Sequence, residues 1–315
     1  MSVNTATGTT ATADRGGGSA RPSYVGRFAP SPTGSLHLGS LVAAVGSYLD
    51  ARRNGGRWLV RMEDLDTPRV KRGSDAEILR TLELFGLTWD GQVEYQSRRT
   101  DRYVSALETL HAAGLTYECS CSRRELANTV DRGYPGTCRA GPTRKGTTAT
   151  RFRLPDEPDN WIAFDDAVRG TCQFDLIKLG DVVVRRRDHI VSYQLAVVVD
   201  DACQEVTHVV RGADLLDSTA WQIALQRSLC LPAVQYAHLP LILDRKHGKL
   251  SKSRGSVALE PALAASQLAT ALRLLQHPPP AELEHESTHR LLQWARDAWD
   301  PKQIRGLSAV TSTTS

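Results

Sequence analysis

The amino-acid sequence predicts an α/β protein with a Rossmann-like parallel sheet, and three observations support this class. An apolar run at residues 24–26, a proline-containing loop and an amphipathic segment at residues 38–53 indicate a strand, a loop and a helix. A second strand pattern follows at residues 57–64, so the chain opens as a β-α-β unit. A later strand, residues 206–214, again ends in a charged loop that leads into a helix at residues 217–229. Such loops lie at the carboxyl ends of parallel strands, where α/β sheets bind ligands.

The composition is that of an ordinary globular protein. The chain has 315 residues, of which 41% are hydrophobic and 23% are charged, enough for one large domain or two modest ones. The net charge of +4 permits a polyanionic partner without requiring one. No apolar run approaches the ~18 residues that span a bilayer, and the N terminus lacks an apolar signal core. We expect a cytoplasmic protein without membrane contact, and a monomer.

The first strand leads into the most informative stretch of the chain, Arg27-Phe28-Ala29-Pro30-Ser31-Pro32-Thr33-Gly34-Ser35-Leu36-His37-Leu38-Gly39-Ser40. Its prolines keep the loop separate from the helix, and Gly39 lets a ligand approach the backbone closely. The N–H groups at the helix N terminus attract phosphate, and His37 lies beside them as a further donor. The structural alternative is a generic turn between a strand and a helix.

A second stretch, Lys249-Leu250-Ser251-Lys252-Ser253, follows an apolar run at residues 238–243. Alone it is equally consistent with a solvated basic loop. Together, the two stretches resemble the paired ATP-binding signatures of class I aminoacyl-tRNA synthetases, and the first resembles the glutamyl branch. The resemblance implies that ATP, accompanied by magnesium, is bound by His37, Gly39, Ser40, Lys249, Ser251 and Lys252. His37 and Lys252 are the expected catalytic residues, because they can stabilise the charge that develops on the α-phosphate.

Carboxylates cluster where the second strand ends, at Glu63, Asp64 and Asp66. A carboxylate there can pair with the ammonium group of a substrate, although a capping turn is the structural alternative. Arg211 ends a later strand and offers a guanidinium to a carboxylate, its alternative being an ion pair with Asp214 or Asp200.

The family resemblance gives these residues specific roles. It implies that Glu63 binds the α-amino group of glutamate, that Arg211 binds its side-chain carboxylate, and that Tyr193 lines the same pocket. An arginine there favours Glu over Gln, because neutral Gln would leave a buried cation unpaired. The expected glutamate site comprises Arg27, Phe28, Ala29, Pro30, Ser31, Glu63, Tyr193 and Arg211.

Three of the six cysteines cluster, as Cys119, Cys121 and Cys138, with Tyr134 between them. Thiolates at short spacing suit tetrahedral zinc, and the alternative is three reduced core thiols. The pattern resembles the zinc subdomain of bacterial glutamyl-type synthetases, which implies one structural zinc per chain with Tyr134 as the fourth ligand. The remaining cysteines are expected to be small core residues.

The chain divides by pattern into six segments. They are a disordered tail (1–22), the first half of the catalytic domain (23–114), a zinc-containing α+β connective insertion (115–190), the second half (191–260), a truncated helical region (261–300) and a tail (301–315), with disorder expected at 308–315. Strand patterns at 151–154, 162–165, 171–174 and 182–185 are assigned to the insertion. The basic run Arg185-Arg186-Arg187 is either a solvated edge or a track for a phosphate backbone.

Only 62 residues follow Ser253, which leaves no room for the anticodon-reading domain of a glutamyl-tRNA synthetase. This shortness and the cysteine pattern resemble the glutamyl-queuosine tRNA(Asp) synthetase family. The resemblance implies activation of L-glutamate without tRNA, followed by transfer to queuosine in the anticodon stem-loop of tRNA(Asp). A shortened glutamyl-tRNA synthetase that charges a 3′ end and an inactive, zinc-stabilised RNA-binding protein remain as alternatives.

Overall fold

The structure is a computed structural model, and it describes residues 24–126, 133–244, 248–249, 259–283 and 286–312. Its helices are α1 (Leu38–Arg53), α2 (Ser74–Leu84), α3 (Thr100–Ala112), α4 (Arg123–Leu126), α5 (Leu176–Leu179), α6 (Tyr193–Cys203), α7 (Leu216–Ser228), α8 (Ala264–Leu274) and α9 (Thr288–Ala298). Its strands are β1 (Val25–Phe28), β2 (Arg57–Met62), β3 (Glu94–Tyr95), β4 (Thr116–Cys119), β5 (Ala149–Phe152), β6 (Trp161–Asp166), β7 (Gly170–Asp175), β8 (Val182–Arg185), β9 (His208–Gly212), β10 (Gln235–Leu239), β11 (Leu241–Asp244), β12 (Gly248–Lys249) and β13 (Ala309–Ser312).

The predicted parallel sheet is confirmed, and it is built from two groups of strands. In one group β1, β2 and β3 are parallel, and in the other β9 and β6 flank β10 in parallel. The two groups meet at β1 and β9, where the N–H of Thr207 donates to the carbonyl oxygen of Val25 at 2.9 Å. Consequently, β1, β2, β9 and β10 end at one edge of the molecule, and the loops that follow them come together there.

Helix α1 packs between this sheet and the C-terminal helices. Leu41, Val45 and Leu49 recur on one face at helical spacing and are completely buried. On its other side α1 contacts α8 and α9, which belong to the same hydrophobic core. Gly46 allows the close approach of α1 to β10, because a Cβ atom there would lie 2.8 Å from a methyl carbon of Leu239.

The strands assigned to the insertion fall into two different sheets. Strands β4, β5 and β8 form a separate antiparallel sheet, as expected for an inserted unit. Strands β6 and β7 form a hairpin that pairs with β10 and therefore extends the catalytic sheet. The division of the chain into domains remains a prediction, but this hairpin connects residues 161–175 directly to the main sheet.

The predicted helices at residues 38–53 and 217–229 agree with α1 and α7 within one residue at each end. The expected disorder at residues 308–315 is wrong for residues 309–312, because β13 pairs in parallel with β11. The tail predicted at residues 1–22 lies outside the described residues. Within the described ranges, none of the helices has the length and apolar character needed to cross a bilayer.

Candidate active site and cysteine cluster

A cavity of about 590 Å³ opens at the edge where β1, β2, β9 and β10 end. The structure brings most of the predicted site residues to this one cavity. Its lining includes Arg27, Phe28, Ala29, Pro30, Ser31, His37, Gly39, Ser40, Glu63, Tyr193 and Arg211. Ser251 and Lys252 lie outside the described residues. Lys249 is described by its backbone in β12, which pairs with β11, and Leu241 and Ile242 of β11 line the cavity.

His37 caps the N terminus of α1 with its side chain. Its backbone is extended (φ −121°), and its Nδ1 accepts a hydrogen bond from the N–H of Ser40 at 3.3 Å. A neutral imidazole that accepts at Nδ1 carries its proton on Nε2, so the ring acts as a donor at Nε2. Gly39 makes room for the ring, because a Cβ atom there would lie 3.2 Å from two imidazole atoms. The cavity wall therefore presents both a helix N terminus and an imidazole donor, which suits a phosphate group.

A buried cluster of charged side chains lies beneath Glu63. Arg61 is completely buried, and its Nη2 lies 2.8 Å from Oδ1 of Asp201 and 3.6 Å from Oε1 of Glu63. Arg27 pairs with the other side of the cluster, its Nε lying 3.3 Å from Oδ1 of Asp201. Asp200 accepts hydrogen bonds from Arg99, Gln96 and Tyr103. Of these side chains, Arg61 is the one that pairs with the Glu63 carboxylate, at the end of β2.

Glu63 is the member of this cluster that lines the cavity. Burial raises the pKa of its carboxyl group to about 7, although the positive charges of Arg61 and Arg27 oppose the shift. Its Oε1 is buried and has no hydrogen-bond partner among the described residues. The neighbouring aspartates are engaged elsewhere, since Asp64 accepts two hydrogen bonds from Ser97 and Asp66 pairs with Arg186. Glu63 is therefore a buried acceptor that a ligand ammonium group can satisfy.

Arg211 also lines the cavity, near the end of β9. Its Nη1 donates to the Tyr193 hydroxyl at 3.0 Å, and its Nη2 donates to Thr219 Oγ1 at 2.7 Å. Its Nε faces Nε2 of His238 at 3.1 Å. These partners are neutral groups and not the carboxylates of Asp200 or Asp214. Thr219 and His238 are not among the site residues that the sequence predicts, because a single polar residue in an apolar strand or helix gives no signal of its distant partner.

The basic run at residues 185–187 forms contacts within the protein. Arg186 pairs with Asp66 at 2.9 Å and with Asp188 at 2.6 Å. Arg187 donates to the carbonyl oxygen of Cys121 at 2.8 Å, and Arg185 lies 3.8 Å from Glu118. The run therefore joins the cavity rim to the segment that carries the cysteines.

The predicted metal ligands lie together. The sulfur atoms of Cys119, Cys121 and Cys138 are all within 4.8 Å of one another. The Tyr134 hydroxyl lies 3.5 Å from the sulfur of Cys119 and 3.7 Å from that of Cys121. Three soft sulfur donors and one phenol oxygen at these separations fit a four-coordinate zinc ion, with a Zn–S bond of about 2.3 Å.

The surroundings of the cluster favour a thiolate and hold the tyrosine ring in place. Burial opposes ionisation of Cys138, but hydrogen bonds from Tyr134 and from backbone N–H groups lower its pKa to about 5. The guanidinium of Arg151 lies 3.6 Å from the centre of the Tyr134 ring. By contrast, the expectation that the other cysteines are core residues is wrong for Cys203 and Cys230, which are exposed.

Comparisons with known proteins agree on one family. A family model described as the catalytic domain of class I tRNA synthetases (E and Q) matches residues 24–267. The chain is 50% identical over 299 residues to the glutamyl-Q tRNA(Asp) synthetase of Geobacter sulfurreducens, covering 90% of this chain and 94% of the relative. It is 51% identical over 287 residues to that of Thiobacillus denitrificans, covering 89% and 94%.

Solved structures are similar in fold over most of the chain. A glutamate tRNA ligase from Elizabethkingia meningosepticum has a TM-score of 0.75 and 26% identity, and the similarity covers 93% of this chain and 67% of that one. The glutamate-tRNA synthetase of Elizabethkingia anophelis also has a TM-score of 0.75, with 27% identity over 91% and 68% of the two chains. The protein is therefore an enzyme of the ligase class that belongs to the glutamyl-Q tRNA(Asp) synthetase family of class I synthetases.

Proposed function

We propose that this protein activates L-glutamate with ATP, without tRNA, and transfers the glutamate to queuosine at the wobble position of tRNA(Asp). The observation that carries the proposal is that Glu63 and Arg211 face one cavity together with the His37 loop. The names of relatives about 50% identical to this chain support the choice of acceptor. We place the reaction in the cytoplasm and propose that the enzyme acts as a monomer.

The proposed activation step joins the α-carboxylate of glutamate to the α-phosphate of ATP and releases pyrophosphate. The attacking carboxylate is already ionised, so the enzyme needs no general base and supplies orientation and positive charge. Glu63 would hold the ammonium group, and the Arg211–Tyr193 pair would hold the side-chain carboxylate. His37 would donate to the phosphates at the α1 N terminus, and Lys252, in the second sequence signature, would also contact them. Magnesium would be bound through the ATP phosphates.

In the proposed transfer step, a hydroxyl oxygen of the queuosine diol attacks the carbonyl carbon of the glutamyl-adenylate and AMP leaves. Splayed bases and phosphates of an anticodon loop suit recognition by a protein surface. The cysteine cluster would hold one structural zinc ion through Cys119, Cys121, Tyr134 and Cys138, bracing the segment that Arg187 connects to the cavity rim.

The central test has two stages. Glutamate-dependent exchange of radiolabelled pyrophosphate into ATP, measured without tRNA, is expected for the zinc-loaded protein. Labelled glutamate is then expected to attach to tRNA(Asp) that contains queuosine and not to the same tRNA without it. Absence of exchange would refute the activation step, whereas equal labelling of the two tRNAs would refute queuosine as the acceptor.

Replacing Arg211 by alanine is expected to raise the KM for glutamate about 100-fold or more, because a charged hydrogen-bonding partner of the side-chain carboxylate is lost. The KM for ATP is expected to change less than threefold in the same exchange assay. Arg52→Ala is a matched control, because Arg52 also makes several hydrogen bonds but lies away from the cavity. An unchanged glutamate KM in Arg211→Ala would contradict the assignment.

The affinity for glutamate is expected to depend on pH through Glu63. Because its pKa is raised to about 7, the carboxyl group is largely protonated below pH 7 and then has no charge to pair with an ammonium group. The Kd for glutamate, measured by calorimetry, is therefore expected to rise about tenfold per pH unit below 7 and to level off above it. Glu63→Gln is expected to bind weakly at every pH. A wild-type Kd that is constant from pH 5.5 to 8 would contradict this role.

Metal analysis is expected to find one zinc ion per chain. Removing it with a chelator is expected to lower the melting temperature, because the metal would crosslink three sulfur atoms and a phenol oxygen from two stretches of the chain, residues 119–121 and 134–138. Cys138→Ser is expected to lose the zinc, while Cys203→Ser, which changes an exposed cysteine, retains it. If Cys138→Ser retained a full equivalent of zinc, the assigned ligand set would be wrong.

A further inference from the structure

We propose that Asp166 and His238 are positioning residues that orient Arg211 for a substrate carboxylate and so set the affinity for glutamate. This inference rests on the proposed function, because it assumes that Arg211 binds the side chain of the amino acid. Neither residue is among the site residues that the sequence predicts, and neither lines the cavity. They act on the substrate only through Arg211.

Hydrogen bonds connect Asp166, His238 and Arg211 in series, from the β6–β7 hairpin to the cavity. Oδ2 of Asp166 lies 2.6 Å from Nδ1 of His238, and Nε2 of His238 lies 3.1 Å from Nε of Arg211. Asp166 is 2% exposed, His238 is completely buried and Arg211 is 5% exposed. Solvent therefore cannot replace either hydrogen bond, and each partner determines the orientation of the next.

Both hydrogen bonds of His238 in this series can form in only one protonation state of the imidazole. The Asp166 carboxylate is an acceptor, so it requires a proton on Nδ1 of His238. Nε2 is then an acceptor, which the Nε–H of Arg211 requires. The other neutral tautomer and the imidazolium would both turn an N–H of His238 toward the N–H of Arg211. Asp166 thus selects the tautomer that can hold the arginine, in the way that a buried carboxylate orients a catalytic histidine.

The charges around His238 keep its ring neutral. Burial lowers the pKa of His238, and the positive charges of Arg211 and Arg27 act in the same direction, while Asp166 opposes them. Tyr236, on the same strand, adds an aromatic ring at 6.0 Å from the imidazole. The hydroxyl oxygen of Thr219 lies 3.0 Å from Nε2, so the Thr219 hydroxyl can also donate a hydrogen bond to Nε2 of His238.

The result is a guanidinium group held on two sides. Nε is bound to His238, and Nη2 is bound to Thr219 and, at 3.4 Å, to the carbonyl oxygen of Leu215. Nη1 uses one N–H for the Tyr193 hydroxyl. Its second N–H has no assigned acceptor among the described residues. Consequently, a ligand carboxylate can form two hydrogen bonds here, one with Nη1 of Arg211 and one with the Tyr193 hydroxyl.

Backbone N–H groups bind the Asp166 carboxylate, and these bonds predict how an asparagine side chain at this position would be oriented. Its Oδ1 accepts from the N–H groups of Val168 at 3.0 Å and Arg169 at 2.8 Å, and the N–H of His238 lies 3.1 Å from both Oδ1 and Oδ2. In Asp166→Asn the amide oxygen is expected to keep these three bonds, which places the NH₂ group opposite Nδ1 of His238. Nδ1 must then accept, the proton moves to Nε2, and the bond to Arg211 is replaced by an N–H facing an N–H.

The experiment compares the wild type with Asp166→Asn and with Asp165→Asn in glutamate-dependent pyrophosphate exchange. Asp165 is the exposed neighbour on the same strand, and its replacement removes one negative charge without touching His238. We expect Asp166→Asn to raise the KM for glutamate at least tenfold while the KM for ATP stays within twofold. Asp165→Asn is expected to behave as the wild type. A purely structural role for Asp166 would instead change both KM values together or only the melting temperature.

Nitrogen-15 NMR of the histidine rings provides a readout that does not depend on activity. Wild-type His238 is expected to be neutral with its proton on Nδ1 at pH 7, and Asp166→Asn is expected to move that proton to Nε2. Wild-type His238 protonated on Nε2 would overturn the inference, even if Asp166→Asn failed to fold. An unchanged glutamate KM in a folded Asp166→Asn enzyme would also overturn it. Absence of exchange in the wild type would count against the proposed function instead, and the NMR result would still decide the tautomer.

Discussion

The architecture of the active site depends on the burial of Arg61 among carboxylates. Arg61 is completely buried on β2, and Asp200 and Asp201 approach it from α6. An isolated charge at this depth would cost several kcal/mol, so the arginine and the aspartates require each other. Because Arg27 of β1 shares Asp201, the same cluster ties β1, β2 and α6 together at the ligand edge of the sheet. Glu63 lies beside this network, since its carboxylate is 3.6 Å from Arg61 and its N–H donates to the carbonyl oxygen of Pro30 at 3.0 Å.

The two charged groups expected to hold the amino acid are stabilised in different ways. Glu63 lies in a cluster of opposite charges, and burial nevertheless raises its pKa, so it gains from a cation in the cavity. Arg211 is bound by neutral acceptors, so its positive charge has no direct carboxylate partner among them. A molecule that carries an ammonium group at one end and a carboxylate at the other complements both. This polarity is a property of the assembled fold, since the two residues are far apart in the chain.

Local patterns predicted much of the fold and of the cavity lining. Helix α1 was predicted at both ends, because the loop before His37 and the glycines after Arg53 mark its limits. The strands of the β6–β7 hairpin are predicted from their patterns, but the pairing of β6 with β10 is not, because a strand pattern does not identify the partner strand. Arg61 and His238 were missed for the same reason. Their roles depend on hydrogen bonds to distant residues, and a polar side chain within an apolar strand does not reveal those partners.

The C-terminal segment supports the cavity indirectly. The N–H of Gly306 donates to the carbonyl oxygen of Val168 at 2.7 Å, and Arg169 donates to the carbonyl oxygen of Leu307. Strand β13 then pairs with β11, whose first residues line the cavity. A protein shortened before Gly306 would therefore lose the hydrogen bonds to Val168 and Arg169, which follow Asp166, and the strand that pairs with β11. For recombinant work, an affinity tag is better placed at the N terminus than fused directly to the final strand.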